Sequence, residues 1–215
     1  MLFRSIRTLC AIYRDPIVGW LERHGHTQDK EDLAHGFVEF LLERNRFAHF
    51  ERRDAKFRSF LLTCLRGFLK DQRQKAAAEK RGAGTEPVSL DAPDLAEIGI
   101  AAKNSSSFDK EFAVTTHKRV MATLVRYYSG RGQSKRLEEL KNFLFGRDGE
   151  IVYAQLAPKL SMSPGSVKKA VFDLRERYYD AFRTEVAQIV SPEQTEEEVR
   201  YLFTLLAETE VADEP

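Results

Sequence analysis

Two kinds of residue in this chain have the type and spacing to do chemistry: carboxylates and imidazoles crowded at a helix start, and cations interleaved with aromatic rings. Asp29, Glu31, Asp32 and His35 fall within two helical turns of one another, as a metal-dependent nuclease would need. Acids at a helix start are equally explained by the helix dipole and by solvation, and no second acidic cluster accompanies them. His24 and His26 belong to no Cys/His set at zinc spacing, so they read as a solvated loop. Cys10 and Cys64 stand alone in apolar helical patterns and read as packing groups, neither a disulfide nor a redox pair. The chain is therefore expected to have no catalytic residue, no metal and no cofactor, and not to be an enzyme.

The cations and rings point to a polyanion. Phe50, Arg52, Arg53, Lys56, Phe57 and Arg58 alternate flat surfaces with charge, and Arg66, Lys70, Arg73 and Lys75 continue the basic run along a helical pattern. Single-stranded nucleic acid requires both features, charge for its phosphates and rings for its unstacked bases, each stack contributing about 1–3 kcal/mol. An aromatic core beneath a solvated charged face has the same composition, and the pattern alone leaves both readings open.

A second candidate lies at 153–177, YAQLAPKLSMSPGSVKKAVFDLRER. Ala154, Leu156, Ala157 and Leu160 give a first helix an apolar face, Ser163 is a natural N-cap, and Pro164 suits the first helical position, where its missing N–H is not needed. Val167, Val171, Leu174 and Tyr178 then recur at helical spacing, leaving Ser166, Lys168, Lys169, Phe172 and Arg175 on other faces. This is the form of a helix-turn-helix, whose second helix presents its N-terminal residues to the DNA major groove. Any capped corner between two helices shares it. Pro158 inside the first helix removes a backbone hydrogen bond.

The elements that must position these groups are helical. Leucine, phenylalanine and alanine are plentiful and no alternating strand pattern persists, so an all-α protein is expected. Helices are predicted on both sides of Pro16, over 32–44 after a Thr27 cap, over 57–80, 109–128 and 137–145, and over 153–190 with a turn at Ser161 to Ser163. Thr195 and Glu198 suggest a capping box for a last, acidic helix. Residues 82–108 hold Gly82, Gly84, Pro87, Pro93, Gly99 and a serine run, and read as a flexible linker. The expected organisation is two small helical domains, 1–81 and 109–190, joined by the 82–108 linker, with an acidic extension at 191–215. The formal net charge of +1 conceals a basic segment at 46–81 and an acidic tail. Neither a signal-peptide core nor a run of membrane-spanning length is evident, so a cytoplasmic protein with no membrane insertion is expected.

The order of DLAHGFVEFLLER, FRSFLLTCLRGFLKDQRQKAAAEKR, a linker and YAQLAPKLSMSPGSVKKAVFDLRERY resembles the bacterial extracytoplasmic-function sigma factors of RNA polymerase, from the first helix to about Arg183. The resemblance implies that the helix carrying Asp32, Leu33, Phe37, Phe40 and Leu41 docks on core RNA polymerase. It implies that Phe50 to Lys75 reads and melts the minus-ten element, taking a base of the non-template single strand. Residues Ser163, Ser166, Lys168, Lys169, Phe172 and Arg175 would then meet the minus-thirty-five element as duplex, with Phe172 touching a thymine methyl or simply packing. An anti-sigma factor or other regulator is an implied further partner. The chain departs from the family pattern at Gly67, where asparagine is common, and at Ser161, which replaces a turn glycine.

The competing expectation is a free-standing helix-turn-helix regulator that binds DNA without polymerase. The acidic tail is open to three readings: a latch on the basic surfaces, a partner-binding segment or a stabilising cap.

Overall fold

The computed structural model describes residues 6–43, 57–80, 106–146 and 150–209. Phe50, Arg52, Arg53 and Lys56, nearly all of the 82–108 stretch and the end of the acidic tail lie outside the described residues. All regular structure among the described residues is helical, in keeping with the all-α expectation. None of these helices is long and apolar enough to cross a membrane.

Residues cluster into two compact units, one within Arg7–Glu111 and one within Phe112–Pro215. The first holds α1 (Ile6–Arg23), α2 (Lys30–Glu43), α3 (Phe57–Lys80) and the start of α4 (Ser106–Ser129). Helix α1 runs unbroken through Pro16, where the sequence suggested an interruption. The reason is burial: Ile12, Tyr13, Pro16, Ile17, Trp20 and Leu21 form one continuous buried stripe. That stripe keeps the helix in register against a proline penalty of about 3 kcal/mol. Gly25, at φ 91°, ends the helix, with His26 N–H bonding back to the Leu21 carbonyl at 3.0 Å. A side chain in that left-handed conformation would be strained. Helix α2 starts later than a Thr27 cap would place it, because Asp29 accepts the first helical hydrogen bond, from Leu33 N–H at 2.9 Å.

The core between α2 and α3 is aromatic. Phe68 packs against Phe37 and Phe40 with ring centroids 5.8 and 5.4 Å away. Gly36 faces the Phe68 ring, and a Cβ there would stand in van der Waals contact with it at 3.4 Å. Tyr13 meets Phe57 edge-on at 5.4 Å. Beside this core Arg58 Nε donates to Asp109 Oδ1 at 2.8 Å, both side chains being only 3% exposed. A pair so buried tolerates the loss of neither partner.

The second unit holds the rest of α4, α5 (Ser134–Leu140) with a 3-10 turn at Lys141–Phe143, α6 (Glu150–Leu160), α7 (Pro164–Val186) and α8 (Pro192–Glu208). Helix α8 begins at Pro192, before the capping box read from Thr195 and Glu198. Proline is well suited to that first position, and Thr195 instead donates to the Ser191 carbonyl at 3.0 Å. Val199, Leu202, Leu205 and Leu206 are buried, and Phe203 packs 4.8 Å from Phe182. The described part of the tail packs on α7.

Its core has a titratable centre. His117 Nδ1 and the Tyr178 hydroxyl hydrogen-bond at 2.8 Å, with Phe145 5.7 Å from the imidazole. Burial, and then the charge of Lys118, lower the His117 pKa from 6.5 to about 4. The unfolded chain thus takes up this proton near pH 6.5 and the folded chain only near pH 4. Stability is intact above pH 6.5 and is lost as pH falls between these values, by about 3 kcal/mol in all. Urea unfolding followed by circular dichroism should show the midpoint falling between pH 7 and 4.5, with the slope largely absent in His117→Gln; equal slopes in both proteins would exclude His117 as the source.

Candidate nucleic-acid interface

Helices α6 and α7 are joined by Ser161, Met162 and Ser163. Pro158 lies exposed in the last turn of α6, and the i−4 carbonyl that its missing N–H leaves without that partner belongs to Ala154, an exposed residue that water can reach. The turn closes through Met162 N–H to the Ala157 carbonyl at 2.9 Å and Ser161 N–H to the Pro158 carbonyl at 3.3 Å. This double closure places Ser161 in the left-handed region at φ 53°, where glycine is the easier residue. Ser163 caps α7 as expected, its Oγ accepting from Ser166 N–H at 3.2 Å with Pro164 following.

The side chains expected to meet DNA on α7 divide by what they already do. Ser163 and Ser166 share a hydroxyl contact at 2.9 Å. Lys169 Nζ reaches both Asp173 carboxylate oxygens, at 2.9 and 3.1 Å. Arg175 Nε donates to the Phe143 carbonyl at 2.8 Å, which ties α7 to the 3-10 turn and commits that donor to the protein. Lys168 and Phe172 remain, exposed and with no hydrogen bond, ion pair or ring partner among the described residues. Phe172 is the outlier, 58% exposed on a helix whose other large apolar groups are mostly buried.

The far half of α7 is held from behind. Tyr178 and Phe182 are buried against Phe203 of α8, while Glu196 accepts from Tyr179 and from Arg183 Nε, the latter at 2.6 Å. Those hydrogen bonds, from Tyr179 and then Arg183, hold the Glu196 carboxyl below its ordinary pKa. Arg131 and Arg177 each stack on the Tyr127 ring, at 3.7 and 4.0 Å from its centroid.

The first unit corrects several site assignments. Phe57 is 7% exposed, within the core, and Arg58 is buried on Asp109, so neither forms a surface for nucleic acid. Of the five α2 residues assigned to docking, Phe37 and Leu41 are buried in the α2–α3 core. Leu33 and Phe40 are partly exposed and Asp32 is exposed, so only these three of the five reach solvent, and Glu39 and Leu42 are exposed elsewhere on the helix. Arg66, Lys70 and Arg73 run along one side of α3, and Lys75 falls on the opposite side.

Charge pairing separates these four from the rest of the unit. Arg14 is paired with Glu31, Arg23 with Glu111, Lys30 with Glu22 and Arg58 with Asp109. Arg66, Lys70, Arg73 and Lys75 have no partner among the described residues. Sequence reading missed the company that Arg66, Lys70 and Arg73 keep: Trp20 and His24 of α1 line the same groove. The signal was present as a Trp–His pair four residues apart, the spacing that stacks side chains on a helix. Among the described residues no group of three or more His, Cys, Asp or Glu side chains is placed to hold a metal.

No family model, curated protein or solved structure matches the chain.

The turn offers a direct check. Ser161→Gly should raise the unfolding free energy by up to about 1 kcal/mol by relieving the left-handed strain, and Ser161→Val should lower it. Urea midpoints of the two variants in the opposite order would show that the turn is not built this way.

Proposed function

We propose that the chain is a promoter-specific transcription initiation factor of the sigma type, which binds core RNA polymerase and reads minus-thirty-five and minus-ten elements to promote opening. The observation that carries the reading is the exposed start of α7. A capped helix follows a tight turn and presents Lys168 and the 58%-exposed Phe172 without partners among the described residues, while its opposite face is buried from Val167 to Val186. A helix in the major groove would place the ring against a thymine methyl and the ammonium on a phosphate or a guanine edge. Arg175 is a positioning residue in this account, setting the attitude of α7 through Phe143. Arg66, Lys70 and Arg73 of α3, unpaired among the described residues, supply a second anion-facing surface, and the motif order supports assigning it to the minus-ten region. In this reading two small helical domains, the second a helix-turn-helix domain, are joined by the flexible linker.

The alternative, a free-standing helix-turn-helix regulator, draws on one specific observation. Burial of Phe37 and Leu41 removes two of the five residues assigned to polymerase docking, leaving a smaller outer face on α2. Under either reading the packed α8 changes the meaning of a tail truncation, since cutting after Val190 would strip buried Leu202 and Leu206 from the unit.

Selection of duplexes from a random pool, followed by binding measurements on the selected site, tests the α7 assignment. Lys168→Ala should weaken binding to all duplexes and reduce its salt dependence by about one counterion. Phe172→Ala should cost about 1–3 kcal/mol on the selected site and relax preference at a thymine position. Mixing with core polymerase then separates the two readings: co-migration lost on substituting Asp32 and Leu42 supports the initiation factor, and duplex binding without any polymerase complex supports the regulator. Failure to bind any duplex would overturn both.

A further inference from the structure

The groove beside α3 has a chemistry of its own. It encloses about 470 Å³ between the last turn of α1 and the middle of α3, within the size range of small-ligand sites. Its α1 wall is a stack: the His24 imidazole lies 3.8 Å from the Trp20 ring centre at an interplanar angle of 20°. His24 Nδ1 donates to the Trp20 carbonyl at 2.7 Å, which fixes the ring and leaves Nε2 uncommitted. Trp20 is 4% exposed whereas His24 is exposed, so one imidazole face is covered by indole and the other is available. The indole N–H is buried with no hydrogen-bond partner among the described residues.

The opposite wall is cationic. Arg66, Lys70 and Arg73 follow one another at helical spacing around Leu69, and all three lack a partner among the described residues. The acids in the neighbouring turn are already engaged, Glu22 by Lys30 at 2.7 Å and Asp29 by His26 at 3.4 Å. Three unneutralised cations held along one groove repel one another, and an anion between them removes that cost. A flat, fixed ring on one side and a row of cations on the other suit a ligand that is planar at one end and multiply anionic at the other.

We propose that this groove binds a nucleoside phosphate, with the base stacked on the free face of His24 beside Leu69 and the phosphate on Arg66, Lys70 and Arg73. The chemistry is shared by a free nucleotide and by one unpaired nucleotide of a strand. The strand version rests on the reading of α3 as nucleic-acid-facing; the free-nucleotide version stands without it.

Trp20 is the sole tryptophan of the chain and lines this groove, so its emission carries the groove's signal. The full-length protein is titrated with adenosine diphosphate in one arm and with a short, dye-labelled, 5′-phosphorylated single-stranded DNA in the other. Trp20 emission and, for the strand, dye anisotropy are recorded. A saturable change in Trp20 emission is expected in at least one arm. His24→Ala and Lys70→Ala, both surface substitutions, should weaken its midpoint by about fivefold or more, while Lys135→Ala in the other unit leaves it unchanged. A response to the strand only assigns the site to nucleic acid, and a response to the diphosphate only assigns it to a free nucleotide. If the strand binds by anisotropy while Trp20 stays silent and His24→Ala is inert, the groove proposal fails and the nucleic-acid reading survives. If the diphosphate alone responds and the strand does not bind, the groove stands and that reading loses its support in this unit. No Trp20 response in either arm, or one indifferent to His24 and Lys70, overturns the proposal.

Discussion

The packing of Tyr178 and Phe182 against Phe203 is the contact on which the α7 surface depends. It buries the far half of α7 against α8, and the His117–Tyr178 hydrogen bond joins the same cluster to α4. Fixing one half of a 23-residue helix fixes the direction of the other half. The start of α7 is itself packed through Val167, Ala170, Val171 and Leu174, and only its outward face is open, with its serines, Lys169 and Arg175 occupied in holding the local geometry. A reading helix needs that division of labour, because a side chain committed to its own protein pays no reorganisation when DNA arrives, and an uncommitted one is available to it.

Pairing of charge does the equivalent sorting in the first unit. Desolvating Arg58 would be costly without Asp109, and the two are buried together at 2.8 Å. Arg14 and Lys30 find carboxylates at the surface, where each pair contributes at most about 1 kcal/mol, and Arg23 reaches the buried Glu111. The row on α3 finds none among the described residues, and so keeps its full field for a ligand. Net charge near zero thus says little about this chain, since what a partner meets is the local remainder after internal pairing.

Much of this was legible in the sequence and some was not, for definite reasons. The helices of the corner, the Ser163 cap and the all-helical class followed from spacing and capping chemistry, which act within a few residues. Continuity through Pro16 was hidden because it depends on burial of a whole stripe, a tertiary effect that overrides a local penalty. The same blindness affected the site residues. Arg58 and Arg66 look alike in a basic run, yet one is buried on a residue 51 positions away and the other lines a groove. Phe37 and Leu41 were assigned outward from motif position, although their own apolar spacing with Phe68 opposite drew them into the core. Phe172 was the reverse case, its exposure becoming clear only once the inward face of α7 was fixed.

The central claim is that the chain directs polymerase to start transcription. Core RNA polymerase, this protein and fragmented genomic DNA from the same source should, in a purified reaction, yield transcripts whose 5′ ends share two upstream elements at a constant spacing. Permanganate should detect unpaired thymines over the downstream element only when both proteins are present. Transcripts no different from those of core enzyme alone, with no protected or melted region, would contradict the account.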